Sequence, residues 1–182
     1  MKVLIVVDMQ KDFVDGALGT PEAQAIVPNV VKYIENCDLN NTTFIFTKDT
    51  HEDNYLETLE GKNLPVPHCI KDTPGWYIDF DVMNAYMNKK DSFDDNFLIE
   101  KPTFGSMKLT KLLTDLNTKE KIEEITLMGL CTGICVMSNA ILAKATLPEI
   151  PVNVVADCCA CVTPESHKIA LEAMKLCQIN II

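Results

Sequence analysis

The sequence predicts an α/β domain of three layers, in which helices cover both faces of a six-stranded, mostly parallel sheet. Short apolar runs rich in β-branched residues alternate with stretches whose apolar residues recur every three or four positions. The first of these runs is apolar almost throughout, as a strand buried on both faces is. At 182 residues the chain is long enough for one domain with a full core.

Lys2 to Val7 reads as the first strand and ends at Asp8. A helix is predicted from Pro28 to about Cys37, with Val30, Val31 and Ile34 on one face and Pro28 in its first turn. Thr42 to Thr47 is a second strand, and Phe97 to Glu100 a short third, stopped by Pro102. Lys108 to Leu116 carries four leucines at helical spacing. Ile125 to Met128 is a fourth strand, followed by Gly129 and a helix into Ala145. Val152 to Val155 is a fifth. Thr163 caps a helix with Pro164 at its first position, running to about Leu176, and Gln178 to Ile182 closes the chain as a sixth strand. Residues from about 48 to 96 break the alternation. This irregular insertion holds at most a short helix near Tyr77 to Met87. The whole chain, 1–182, reads as one domain.

The formal charge of -10, spread along the chain, repels phosphate backbones and argues against nucleic-acid binding. No apolar run is long enough to span a bilayer, and Met1 to Val7 is too short for a signal peptide. Eight cysteines without an export signal read as reduced thiols in a cytoplasmic protein. A homo-oligomer stays open. There is no G-x-G-x-x-G, Walker A or G-x-S-x-G pattern, which leaves nucleotide-cofactor and serine-hydrolase readings without support.

Ligands of open parallel sheets bind beyond the carboxyl ends of the strands. Asp8, Asp49, His51, Lys101 and Cys135 all follow predicted strands at that edge. Cys135 lies between a strand and a helix, where free N–H groups and the helix dipole favour a thiolate and could hold an oxyanion. A small buried thiol is the alternative. Asp8 is placed to act as a general base, or else as a turn carboxylate; Lys101 could hold both in charged form, or be a surface lysine. Asp49 and His51 project from one extended segment, His68 follows, and Glu52, Glu57 and Glu60 lie between. That mixed oxygen and nitrogen set suits zinc, manganese or iron, with ordinary polar loop residues as the alternative. Cys158 and Cys161 have C-x-x-C spacing, which as a zinc or redox module would define a different class of protein; buried thiols at a strand end fit the pattern better. His167 reads as a partly exposed helical residue.

These motifs, in this order, resemble the isochorismatase-like cysteine hydrolases over essentially the whole chain, and within them the nicotinamidase/pyrazinamidase group. The resemblance rests on Asp8, Gln10, Asp12 and Phe13; on Thr47, Asp49 and His51; on Pro67 and His68; on Lys101 and Phe104; and on Gly129 through Cys135. It implies the isochorismatase-like hydrolase fold and a triad of Asp8, Lys101 and Cys135. It also implies a cis peptide at Leu130-Cys131 and an oxyanion held by the N–H groups of Cys131 and Cys135. It implies one divalent metal, zinc before manganese or iron, on Asp49, His51 and His68. Many members use a further histidine that this chain lacks, and the glutamate variant places Glu60 there. Gly133 departs from a frequent Asp, and Leu64-Pro65 replaces a frequent aromatic. Nicotinamide is the implied substrate, its ring packed by Phe13, Phe104 and Trp76, and NAD salvage the implied purpose. A metal-free relative acting on another small amide or ureide is the alternative.

Overall fold

A computed structural model of the protein describes residues 1–90 and 97–182. Six strands form one sheet: β1 (Lys2–Val7), β2 (Thr42–Asp49), β3 (Leu98–Lys101), β4 (Glu124–Leu130), β5 (Val152–Ala160) and β6 (Asn180–Ile181). Their order is β3-β2-β1-β4-β5-β6 and every pairing among them is parallel. In such an order the chain leaves β1 in one direction and returns to its other side at β4. The carboxyl ends of β1 and β4 therefore flank the switch point where α/β sheets bind ligands.

β1 is buried from Val3 to Val7. Gly129 on β4 has φ +126°, and a Cβ there would stand 2.0 Å from the carbonyl oxygen of Val7. Only glycine lets the two central strands approach at this edge.

The helices are α1 (Lys11–Val14), α2 (Pro21–Asn36), α3 (Leu59–Asn63), α4 (Phe80–Met87), α5 (Met107–Lys119), α6 (Met137–Thr146) and α7 (Pro164–Leu176). α2 and α4 pack together on one face, and α5, α6 and α7 on the other. α2 buries Ala23, Ile26, Val30 and Ile34, α5 Leu109 and Leu113, and α7 Ala170 and Met174. Tyr86 of α4 meets Phe44 and Phe46 of β2 at ring distances of 5.2 and 5.1 Å.

The observed elements correct several expectations. α2 begins at Pro21 rather than Pro28, because Thr20 caps it by accepting from the Ala23 N–H at 3.0 Å. Pro28 sits inside the helix, where its ring deprives the Gln24 carbonyl of the usual donor. β5 runs five residues past Val155, and its register to β4 gains three residues between Leu127 and Gly129. The insertion holds more structure than one helix: turns at Tyr55–Glu57 and Pro74–Trp76 accompany α3 and α4. Its last part, 91–96, lies outside the described residues.

Candidate active site and metal centre

β1, β2 and β3 end side by side, so pairing places Asp8, Asp49 and Lys101 at adjacent positions; Asp49 stands opposite Lys101 in the ladder. All three are buried. Lys101 Nζ lies 2.6 Å from Asp8 Oδ2, 3.4 Å from Asp49 Oδ1 and 3.5 Å from Cys135 Sγ. Thr47 donates its hydroxyl to Asp8 Oδ1 at 2.6 Å and fixes the carboxylate, whose backbone is at φ 47°.

Beyond β4 the peptide bond between Leu130 and Cys131 is cis. The chain then makes a π turn, Thr132–Val136, that leads into α6 and carries Cys135. The carbonyl of Cys131 accepts from both Ile134 and Val136.

The electrostatics of this trio follow from its burial. Desolvation pushes the Asp8 carboxyl above the ordinary carboxylate range, against the pull of the Lys101 charge. Burial also tends to lower the Lys101 ammonium, but the Asp8, Cys135 and Asp49 charges outweigh it and keep the group protonated. Burial, and then the charge of Asp8, push the Cys135 thiol well above the usual cysteine value. Burial beside Asp8 thus opposes the thiolate that the helix start favours at Cys135.

Next to the trio, Asp49, His51, Glu60 and His68 converge, with ligand atoms all within 4.8 Å of one another. His51 Nε2 is 3.1 Å from Asp49 Oδ2 and 3.6 Å from Glu60 Oε1; His68 Nε2 is 3.5 and 3.9 Å from the same atoms. A tetrahedral ion with bonds of about 2.0–2.1 Å holds its ligands about 3.4 Å apart. The cluster already brackets that spacing, and its two imidazoles and two carboxylates suit a borderline divalent ion. His68 turns Nε2 inward because Nδ1 is held 2.8 Å from the Val66 carbonyl. Burial works to raise the Asp49 carboxyl, but hydrogen bonds from both histidines and the Lys101 charge hold it well below the usual range.

Cys135 of the trio and Asp49, Glu60 and His68 of the cluster line one cavity of about 370 Å³ whose wall also includes Phe13, Ala23, Leu64, Ile134 and Val162. Phe13 stands 5.4 Å from the His68 ring, and Phe104 lies half exposed at the mouth. Trp76 is not part of this wall. It is buried in the insertion, its indole N–H donating to Thr50 Oγ1 at 2.9 Å and its ring covered by the Lys48 ammonium at 2.7 Å. Its aromatic character is used for packing.

The cysteines do not form a centre of their own. All eight are free. Cys161 lines the same cavity as Cys135, whereas Cys158 lines a larger, open groove of about 650 Å³ by Lys2, Thr42 and Glu124, at the opposite edge of the sheet.

Three residues that the sequence motifs contain without an assigned role support the site. Gln10 brackets the Asp49 backbone, donating to its carbonyl at 2.8 Å and accepting from its N–H at 2.7 Å. Thr47 holds Asp8. Asp12 accepts from the Cys69 N–H at 2.8 Å and so anchors the turn that carries His68. Gln10 and Asp12 stood in the opening motif, but nothing local assigns them partners 39 and 57 residues away.

Residues 2–182 match the family described as Isochorismatase domain. The nicotinamidase/pyrazinamidase of Mycobacterium tuberculosis is 26% identical over 200 residues, spanning 100% of this chain and 98% of that protein. The pyrazinamidase of Pyrococcus horikoshii, solved in complex with zinc, is 29% identical, with a TM-score of 0.79 over 100% of this chain and 98% of its own. The pyrazinamidase/nicotinamidase of Streptococcus mutans is 26% identical, with a TM-score of 0.83 over the full length of both chains.

Proposed function

The chain belongs to the isochorismatase family, and we propose that it works as a nicotinamidase in which Asp8, Lys101 and Cys135 hydrolyse nicotinamide to nicotinate and ammonia through a thioester. Nicotinamidase and pyrazinamidase relatives across the full chain support the amidohydrolase activity. The observation that carries the residue assignment is the position of Lys101 Nζ, within 3.5 Å of the base, the nucleophile and a metal-cluster carboxylate at once.

Asp8 takes the proton from Cys135. Its raised pKa makes it a stronger base than a solvated carboxylate, and Lys101 stabilises the charge that moves to sulfur. The thiolate attacks the amide carbon, with the N–H groups of Cys131 and Cys135 assigned to the developing oxyanion. Asp8 returns its proton to the departing ammonia, then removes one from the water that cleaves the thioester. Phe13 packs on the ring, and the apolar wall excludes bulk water.

Asp49, His51, Glu60 and His68 would hold one divalent ion, zinc in the first instance, which when bound supplies an electrophilic anchor for the pyridine nitrogen. The preformed four-ligand cluster favours this reading over a metal-free relative acting on another amide. Return of nicotinate to NAD synthesis is the cellular role we assign, and eight free thiols fit a reducing compartment. Among the described residues no helix is long and apolar enough to cross a membrane.

Ammonia release from nicotinamide tests the proposal. It should be lost in Cys135→Ala and retained in Cys158→Ala; activity that needs Cys158 and not Asp8 would reject it.

A further inference from the structure

Thr132 is the first residue of the turn that carries Cys135, and its side chain has no exposed surface. The start of that turn has no side-chain cap. The Thr132 hydroxyl reaches instead to α7, where Oγ1 lies 2.7 Å from Nδ1 of His167. Either tautomer closes this bond, with the hydroxyl donating to a bare Nδ1 or accepting from Nδ1–H. His167 is itself fixed. Its N–H bonds to the Thr163 carbonyl, and Thr163 and Ser166 form a capping box at the start of α7.

A second contact locks the same two elements. A Cβ on Gly133 would stand 3.1 Å from the Ala170 Cβ and 3.5 Å from Cys161 Sγ, so the turn lies directly against α7. The nucleophile turn is thus held by its strand at one end and by α7 along its flank, and Thr132–His167 is the polar link in that flank.

We propose that His167 is a positioning residue for the reaction, acting through Thr132 to hold the turn that presents the Cys135 sulfur and the N–H groups assigned to the oxyanion. The inference rests on Cys135 being the nucleophile. Thr132 adjoins Cys131, so a shift at its hydroxyl is carried into the backbone between the oxyanion donors and the sulfur. Misplacement of a reacting group by about 1 Å can cost about a hundredfold in rate.

The experiment compares His167→Ala, His167→Asn, His167→Gln and Thr132→Val in the metal-loaded protein, with nicotinamide as substrate. Asn places an amide atom near the position of Nδ1, and Gln near that of Nε2. The expected result is a fall in kcat of about tenfold or more for His167→Ala, with KM changed by less than about threefold. Most of the loss is recovered in His167→Asn and little in His167→Gln. Thr132→Val matches His167→Ala, and the double variant is hardly worse than either single one. A kcat within twofold of the parent in His167→Ala, equal recovery by Asn and Gln, or losses that multiply in the double variant would each overturn the proposal. Circular dichroism and thermal unfolding separate loss of fold from loss of alignment; if His167→Ala does not fold, Thr132→Val and the Asn–Gln pair carry the test. Failure of the underlying nucleophile assignment shows separately, as a Cys135→Ala protein that still hydrolyses nicotinamide.

Discussion

The ammonium of Lys101 lies 3.4 Å from Oδ1 of Asp49, while Oδ2 of the same carboxylate faces His51 and His68. Asp49 therefore joins the Asp8, Lys101 and Cys135 trio to the cluster that could hold a metal ion. One carboxylate touches both, so replacing Asp49 itself would disturb the two halves together.

Lys101→Met should lower kcat/KM by at least about a thousandfold, because both buried carboxylates lose their cation and nothing balances the charge moved to sulfur. Removing one partner of a buried pair also costs about 3–5 kcal/mol of stability. Metal content stays near that of the parent, since all four ligands remain. Steady-state kinetics with elemental analysis checks both halves.

Asp8→Asn should cost about 10²–10⁴ in kcat through loss of the base. It should also lower the pH at which Cys135 becomes reactive. The negative charge of Asp8 raises the thiol pKa, so removing it moves the alkylation profile of Cys135 to lower pH. In the parent the iodoacetamide inflection lies above the ordinary cysteine value of about 8.5. An unchanged profile in Asp8→Asn counts against the coupling.

Gln10→Ala leaves every ligand in place but frees the backbone of Asp49. Loss of such a support typically costs about 10–100-fold in metal affinity. Competition against a chelator should show that weakening, while alkylation of Cys135 in the metal-free proteins stays the same.

Trp76→Phe should leave KM for nicotinamide within about twofold and lower stability by about 0.5–1.5 kcal/mol, the worth of the lost bond to Thr50. Phe13→Ala, in the cavity wall, should instead raise KM. Kinetics and thermal unfolding of the pair separate packing aromatics from lining ones.

Much of this was legible because strand ends in a parallel sheet bring sequence-distant residues to one edge. Asp8, Lys101 and Cys135 each follow an apolar run, and that sufficed to group them. Thr163-Pro164 marks a helix start by its cap, whereas Thr20-Pro21 gives no periodic signal, since residues 15–25 are nearly without large apolar side chains. The extra residues of β5 were hidden by Asp157 and its neighbouring cysteines, which carry no strand pattern. Burial decided the rest. A helix start argued for a thiolate at Cys135, but enclosure beside Asp8 outweighs it. Trp76 looked like a ring-binding aromatic until Lys48 and Thr50 accounted for both its ring and its N–H. The partners of Gln10, Thr47 and Thr132 are long-range hydrogen bonds that no local pattern signals.

The central claim is that nicotinamide is hydrolysed through an acyl group on Cys135. Partitioning of the metal-loaded enzyme between water and added hydroxylamine tests it most directly. The predicted result is nicotinohydroxamate formed at the expense of nicotinate, with neither product from Cys135→Ala. A Cys135→Ala protein that consumes nicotinamide at the parental rate, or a parent that never yields the hydroxamate, would contradict it.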